Sequence, residues 1–322
     1  MQPATRPMRV LVTGGFGYLG SHLTDSLAAA GHTVRVLERR LPASPSAWQQ
    51  RFETFVGDVS DPASLPPAFE GVEAVVHAAA LNAPSCAADP EAAVRVNGLG
   101  TRNVLAAAAA AGARRAVYLS SIHVYGPLAQ DVIDEATPTR PVSDYAITKL
   151  LGESYCGQAV TRGEIEALVV RFSNGYGAPL SMDADCWMLA VPDFCRQAYE
   201  RGEIVLQSAG TQQRDFLTLA EEVAAVRLLI EEAPSPKRVA DVVYTAGGGC
   251  SRSMREVAEL VADVYRERFG REAVIRLPEG AYAAPAEPPV DYRFERLAAL
   301  GYRPEGDMRA QVDALFTLLA GG

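Results

Sequence analysis

Short aliphatic runs alternate with longer amphipathic or alanine-rich stretches through the first half of the chain. Arg9–Thr13, Thr33–Glu38, Thr54–Val56, Ala74–His77, Ala116–Ser120 and Leu168–Phe172 read as strands. Between them Tyr18–Ala30, Pro90–Ala111 and Asp144–Thr161 are long enough to be crossover helices, which makes the strands parallel. Strands that are apolar on both sides need two covering layers, so the pattern predicts an α/β fold with a doubly wound parallel sheet. After about Asn174 the rhythm changes. A loop over Gly175–Asp185, a helix over Trp187–Arg201, then short strands, helices and a Pro/Ala loop over Pro278–Pro289 predict a smaller, mixed α/β C-terminal lobe built from separated pieces.

Composition narrows the classes. The chain has 322 residues, 48% of them apolar, and a net charge of −9, which removes the basic footprint of a nucleic-acid binder. No apolar run, that containing Leu105–Ala111 included, approaches the roughly 20 residues of a membrane span. Met1–Arg9 lacks the apolar core of a secretory signal, so a cytoplasmic protein without a membrane partner is expected. Five scattered cysteines without a Cys-x-x-Cys fit reduced thiols. Four histidines with no pair at helical ligand spacing predict no metal site.

The first strand runs into Thr13-Gly14-Gly15-Phe16-Gly17-Tyr18-Leu19-Gly20 and then a helix. Gly14 permits the tight turn, Gly17 lets the backbone approach a pyrophosphate, and Gly20 lets helix and strand pack closely. The helix N-terminus offers free N–H groups to phosphates. Glu38, closing the second strand, stands where an acid binds the adenosine ribose hydroxyls. This context predicts a Rossmann-type dinucleotide-binding domain over residues 1–174. The substrate-binding lobe is then a discontinuous 175–322, with about 213–246 packing back onto the first domain. Glu38 repels a 2′-phosphate and favours NAD; Arg39 and Arg40 are the features that suit NADP instead.

Tyr145 and Lys149 are four apart and share one face of a helix. The chain has 28 arginines but only two lysines, Lys149 and Lys237, beside 12 tyrosines. A chance Tyr-x-x-x-Lys is therefore expected fewer than about 0.1 times. A nearby ammonium favours the phenolate, so Tyr145 is expected to exchange a proton with a sugar hydroxyl near neutral pH. Tyr118-Leu119-Ser120-Ser121 leaves a strand at the sheet's carboxyl edge, where open α/β sheets bind ligands. Ser121 is placed to hydrogen-bond the same oxygen. If the extended backbone continues, His123 faces the same side as a candidate second acid/base.

Taken together, these motifs resemble the extended short-chain dehydrogenase/reductase family of NAD-dependent nucleotide-sugar epimerases and dehydratases, over nearly the whole chain. The matching elements are Thr13–Gly20, Gly57-Asp58-Val59, His77-Ala78-Ala79-Ala80, Asn97, Ser121 with Tyr125-Gly126, Tyr145/Lys149, Arg171–Asn174, Arg214-Asp215-Phe216 and Gly301–Pro304. The resemblance implies that Asp58 and Val59 flank the adenine and that Ala78, Ala79 and Ala80 line the cofactor. It also implies that Asn97 supports the cofactor site and that Ser121, Tyr145 and Lys149 form the catalytic triad. Asn82, Ser121, His123, Asn174 and Arg214 are expected to meet a nucleotide-sugar substrate, the last two at its diphosphate. A homodimer through a four-helix bundle is implied as well.

Two departures bear on the reaction. The family's 4,6-dehydratases carry an Asp-Glu pair directly after the position of Ser121, where this chain reads Ile122-His123, so that elimination is disfavoured. Many relatives have a second diphosphate-binding arginine where this chain reads Ala284-Pro285-Ala286-Glu287. Ser181–Trp187 and Pro278–Glu287, which border the sugar, match no readable pattern. The leading expectation is an NAD-dependent epimerase acting through a transient ketosugar. The alternative is an NAD(P)-dependent ketosugar reductase or sugar dehydrogenase. A non-catalytic dinucleotide-binding regulator and a serine hydrolase lacking a Gly-x-Ser-x-Gly elbow fit the residues less well.

Overall fold

Strands with aliphatic residues on both sides need cover from two layers, and the computed structural model of the chain shows both. It describes residues 6–41, 44–127, 132–279 and 287–321. Seven strands form one parallel sheet: β1 (Arg9–Thr13), β2 (Thr33–Glu38), β3 (Glu53–Val56), β4 (Ala74–His77), β5 (Arg115–Ser121), β6 (Glu166–Phe172) and β7 (Val243–Ala246). Their order is β7-β6-β5-β4-β1-β2-β3. The chain winds outward from β1 in one direction and from β4 in the other, which opens a crevice at the carboxyl ends of these two strands.

Alternation within a strand decides which layer each residue joins. Val10 and Val12 of β1 pack with Leu23 and Leu27 of α1 (Tyr18–Ala29) and with Val226 and Leu229 of α5 (Leu219–Glu231). Leu11, pointing the other way, packs with Val104, Leu105 and Ala108 of α2 (Gly100–Ala110) and Cys156 and Ala159 of α3 (Asp144–Thr161). The doubly wound α/β class expected from the sequence is present, with a mixed C-terminal part.

That part has its own core: Val191 and Phe194 of α4 (Ala190–Arg201), Val257 and Val261 of α6 (Met254–Phe269), and Val312 and Phe316 of α7 (Met308–Gly321). Beside it lies a three-stranded sheet in which Gln213–Thr218 pairs parallel with Asn174–Tyr176 and antiparallel with Ser251–Ser253. The 213–246 segment is divided by this arrangement. Gln213–Thr218 belongs to the small sheet, α5 covers the large sheet beside α1, and β7 pairs with β6 at its edge.

Three elements differ from the expectations. Pro90–Ala111 is not one regular helix: Val94–Leu99 is a π-helical stretch between Pro90–Ala93 and α2. Asn174–Tyr176 is a strand rather than the start of a loop, because it finds a partner in the distant Phe216–Thr218. The helix expected from Trp187 begins at Ala190, since Trp187 is held in the preceding loop by its indole N–H on the Met182 carbonyl, 3.1 Å. Ala284–Ala286 lie outside the described residues.

Candidate active site

The glycine loop forms a close-fitting cradle. Gly14 has φ +69°, and a Cβ on it would stand 3.0 Å from the Ala79 backbone; a Cβ on Gly20 would overlap the Gly14 carbonyl. Gly17 is the N-cap of α1 and supplies no side-chain cap, so the first-turn N–H groups of Tyr18, Leu19 and Gly20 are left to a ligand. The facing loop is pinned from below. Buried His77 at the end of β4 lies 2.7 Å from the Thr13 hydroxyl and 3.2 Å from that of Thr101. Thr13 Oγ1 in turn accepts the Ala79 N–H at 3.2 Å. Burial, with Lys149 nearby, pushes His77 down to about 3, so it is a neutral strut.

These loops border a cavity of about 730 Å³ at the crevice. Gly14, Gly17, Tyr18, Leu19, Glu38, Arg39, Asp58, Val59, Ala78, Ala79 and Ala80 line its glycine-loop half. The Glu38 carboxylate accepts the Phe16 N–H at 2.7 Å, while burial raises its pKa. Burial also pushes Asp58 up, but hydrogen bonds from Ser60, with Arg39 nearby, hold it below the ordinary carboxylate value. Arg40 is exposed and does not line the cavity. The uncapped helix end, the glycine cradle and the acid at the end of β2 fit a nicotinamide dinucleotide.

Asn97, expected to support the cofactor site, acts from behind the cavity wall. It is 1% exposed and lies outside the cavity lining. Its Oδ1 accepts the Leu81 N–H at 2.7 Å, and its Nδ2 donates to the Leu81 carbonyl and to Thr148 Oγ1. It therefore fixes the loop after β4 from behind, and the π-helical turn is what lets it point inward.

At the other end, Ser121 closes β5 and the chain turns at once into a 3₁₀ helix, Ile122–Tyr125. The extended path expected for His123 does not occur. The turn still presents His123 to the cavity, with its ring 6.1 Å from that of Tyr145 at an interplanar angle of 75°. Helix α3 starts at the Ser143 cap and places Tyr145 and Lys149 one turn apart. The Ser121 hydroxyl is near enough to the Tyr145 phenol to lower its pKa. Lys149 Nζ donates to the Leu119 carbonyl at 2.9 Å and lies 5.6 Å from the Tyr145 ring centre.

The acidity expected of this pair is not found in the protein alone. Burial pushes Tyr145 up to about 12, against the lowering effect of Ser121. Burial likewise pushes Lys149 down to about 8. Desolvation dominates at both groups, and the ammonium is directed at the Leu119 carbonyl rather than at the phenol oxygen. His123 is lowered by desolvation and by the Arg214 guanidinium.

Behind the triad, Arg171 Nη2 meets Glu153 Oε2 at 2.6 Å, Ser120 Oγ donates to Glu153 Oε1 at 2.5 Å, and Arg171 Nη1 donates to the Tyr125 hydroxyl at 3.1 Å. This buried network ties α3, β5, β6 and the 3₁₀ turn together. Asn174 and Arg214 also line the cavity; Asn174 Nδ2 donates to the Asp215 carbonyl at 2.8 Å.

Three hydrogen bonds bridge the two halves around the cavity: Tyr18 hydroxyl to the Gly177 carbonyl at 2.7 Å, His22 Nε2 to the Ala178 carbonyl at 3.1 Å, and Asn82 Nδ2 to Asp185 Oδ2 at 2.5 Å. Sequence reasoning missed Asp185, the Leu189–Val191 wall and Glu222, all of which line the same cavity. Glu222 had a readable signal: it is an acid inside the apolar stripe Leu219, Val223, Val226 and Ile230 of α5. Among the described residues no cluster of three or more His, Cys, Asp or Glu side chains could hold a metal, and no helix is long and apolar enough to cross a membrane.

Comparison with known proteins agrees with this geometry. The NAD dependent epimerase/dehydratase family matches residues 10–243. The dTDP-6-deoxy-L-talose 4-dehydrogenase (NAD(P)(+)) of Kitasatospora kifunensis is 30% identical, over 98% of this chain and 96% of its own. The UDP-glucose 4-epimerase of Thermus thermophilus, solved in complex with NAD, superimposes with a TM-score of 0.77 at 25% identity, over 96% of this chain and 99% of its own. MoeE5, solved with UDP-glucose and NAD, gives a TM-score of 0.78 at 26% identity, over 97% of this chain and 99% of its own.

Proposed function

Since the chain belongs to the NAD dependent epimerase/dehydratase family, we propose that it is a redox-neutral epimerase of a nucleotide-activated sugar. The observation that carries this reading is the set of three interlobe hydrogen bonds around the cavity, which favours keeping the cofactor in place between two half-reactions. When bound, the nicotinamide dinucleotide supplies the acceptor and donor of hydride. Tyr145 exchanges the proton of the sugar hydroxyl, and Ser121 holds the same oxygen. Lys149, buried on the Leu119 carbonyl, contributes the positive field that lowers the phenol once a cationic ring stands beside it. Arg214 and Asn174 face the substrate's diphosphate, and His123 serves the sugar as a second proton carrier. Glu38 selects NAD over NADP.

The free cysteines fit a reducing, cytoplasmic setting. A homodimer would cover Val94, Leu99 and Ile147, exposed at 42%, 41% and 48% around the π-helical turn and α3.

A second reading, a sugar 4-dehydrogenase or ketosugar reductase, is favoured by the Kitasatospora relative's activity and by Arg39 in the cavity wall. The deciding experiment is to incubate the purified protein with UDP- and dTDP-hexoses and follow both the sugar configuration by NMR and the absorbance of reduced cofactor. Inversion with no net reduced cofactor supports the epimerase. Stoichiometric consumption of NADH or NADPH, or of the oxidised forms, overturns it in favour of the second reading.

A further inference from the structure

Glu222 is a buried acid in the cavity wall that the chemistry above does not use. It sits in the first turn of α5, 6% exposed, and none of the described residues donates a hydrogen bond to its carboxyl or pairs with it as a cation. Its neighbour Glu221 is fully engaged, accepting the N–H groups of Thr218 and Gly306. Glu222 instead turns under Gly175, where a Cβ would stand 2.5 Å from its Oε1. Glycine at 175 is therefore what makes room for this carboxyl at the cavity wall.

Tyr18 of α1, Tyr145 of α3 and Tyr302 before α7 each respond to the charge of Glu222, and Glu221 repels it. Glu222 lines the same cavity as Gly17 and Tyr18 of the loop that cradles the dinucleotide and Tyr145, which exchanges the substrate's proton. The reacting ring of a nicotinamide cofactor must come to that tyrosine. The ring is cationic when oxidised and neutral when reduced.

We propose that Glu222 matches its charge to the cofactor's redox state, as a carboxylate opposite the oxidised ring and a neutral carboxylic acid opposite the reduced one, so that the site retains the oxidised form in preference. Burial and Glu221 push its carboxyl up to about 8, so the group is mostly protonated in the protein alone at neutral pH. Binding of the oxidised cofactor then expels the Glu222 proton to solvent; binding of the reduced cofactor leaves it in place. The inference rests on the cofactor assignment and deepens it, from a group that binds to a group that biases the redox state.

The test is calorimetric titration of the cofactor-stripped protein with NAD and with NADH at pH 7, in two buffers of different ionisation enthalpy, for wild type and Glu222→Gln. The expected result is proton release on NAD binding but not on NADH binding, lost in the variant. Affinity for NAD should fall about tenfold in Glu222→Gln while that for NADH holds, as expected from losing one favourable charge pairing. Release that persists in the variant belongs to Lys149 or to the Tyr145 phenol and overturns the proposal, as does an equal loss of affinity for both forms. Glu222→Met serves in its place if that variant fails to fold, and equal proton release with both cofactors in the wild type overturns the proposal on its own. Failure of wild type to bind either cofactor would sink the cofactor assignment itself.

Discussion

Tyr145 is the residue on which the chemistry turns, and its phenol is held high by burial rather than low by its lysine. Removing only its hydroxyl tests its role: Tyr145→Phe should reduce turnover by a factor on the order of 10³ while leaving cofactor affinity within about threefold of wild type, by fluorescence titration. His123 supplies a pH signature. Its pKa is lowered by desolvation and Arg214, so it is neutral at pH 7 and gains its proton only on the acid side of the ordinary imidazole value. Activity (kcat/KM) should fall as pH drops through that region, and His123→Asn should flatten this acid limb as well as slow the reaction. An unchanged acid limb would show that His123 only packs. The sequence revealed which side chains meet here through their spacing. It did not reveal their protonation, because desolvation depends on what lies around them in three dimensions.

At the scale of elements, the buried Arg171–Glu153 pair joins α3 to β6 and sets the height of the helix that carries Tyr145 and Lys149. Arg171→Met leaves Glu153 as an unpaired buried charge and should cost about 3–5 kcal/mol in denaturant unfolding. The double replacement with Glu153→Leu should recover most of that loss. The early strands were legible because alternation inside aliphatic runs leaves few choices of face. The π-helical turn was not, since the pull on Asn97 comes from the Leu81 backbone, remote in sequence and invisible to a 3.6-residue period. The strand at Asn174–Tyr176 escaped for a similar reason: its partner Phe216–Thr218 lies some forty residues on.

For the whole molecule, the exposed Val94, Leu99 and Ile147 predict association. Ile147→Glu should convert a dimer into a 34.3 kDa species in sedimentation at micromolar concentration, with unfolding of the monomer little changed. A wild-type chain already at that mass would refute the dimer. The interleaving of the two halves also bears on synthesis. Strand β7 is the far neighbour of β6, and α5 covers the face that α1 leaves open, yet both are encoded more than forty residues after β6 ends. A nascent chain that has just emerged past Phe172 therefore carries a bare strand edge and an uncovered aliphatic face until residue 246 clears the ribosome, the stretch of its life when chaperones have most to hold.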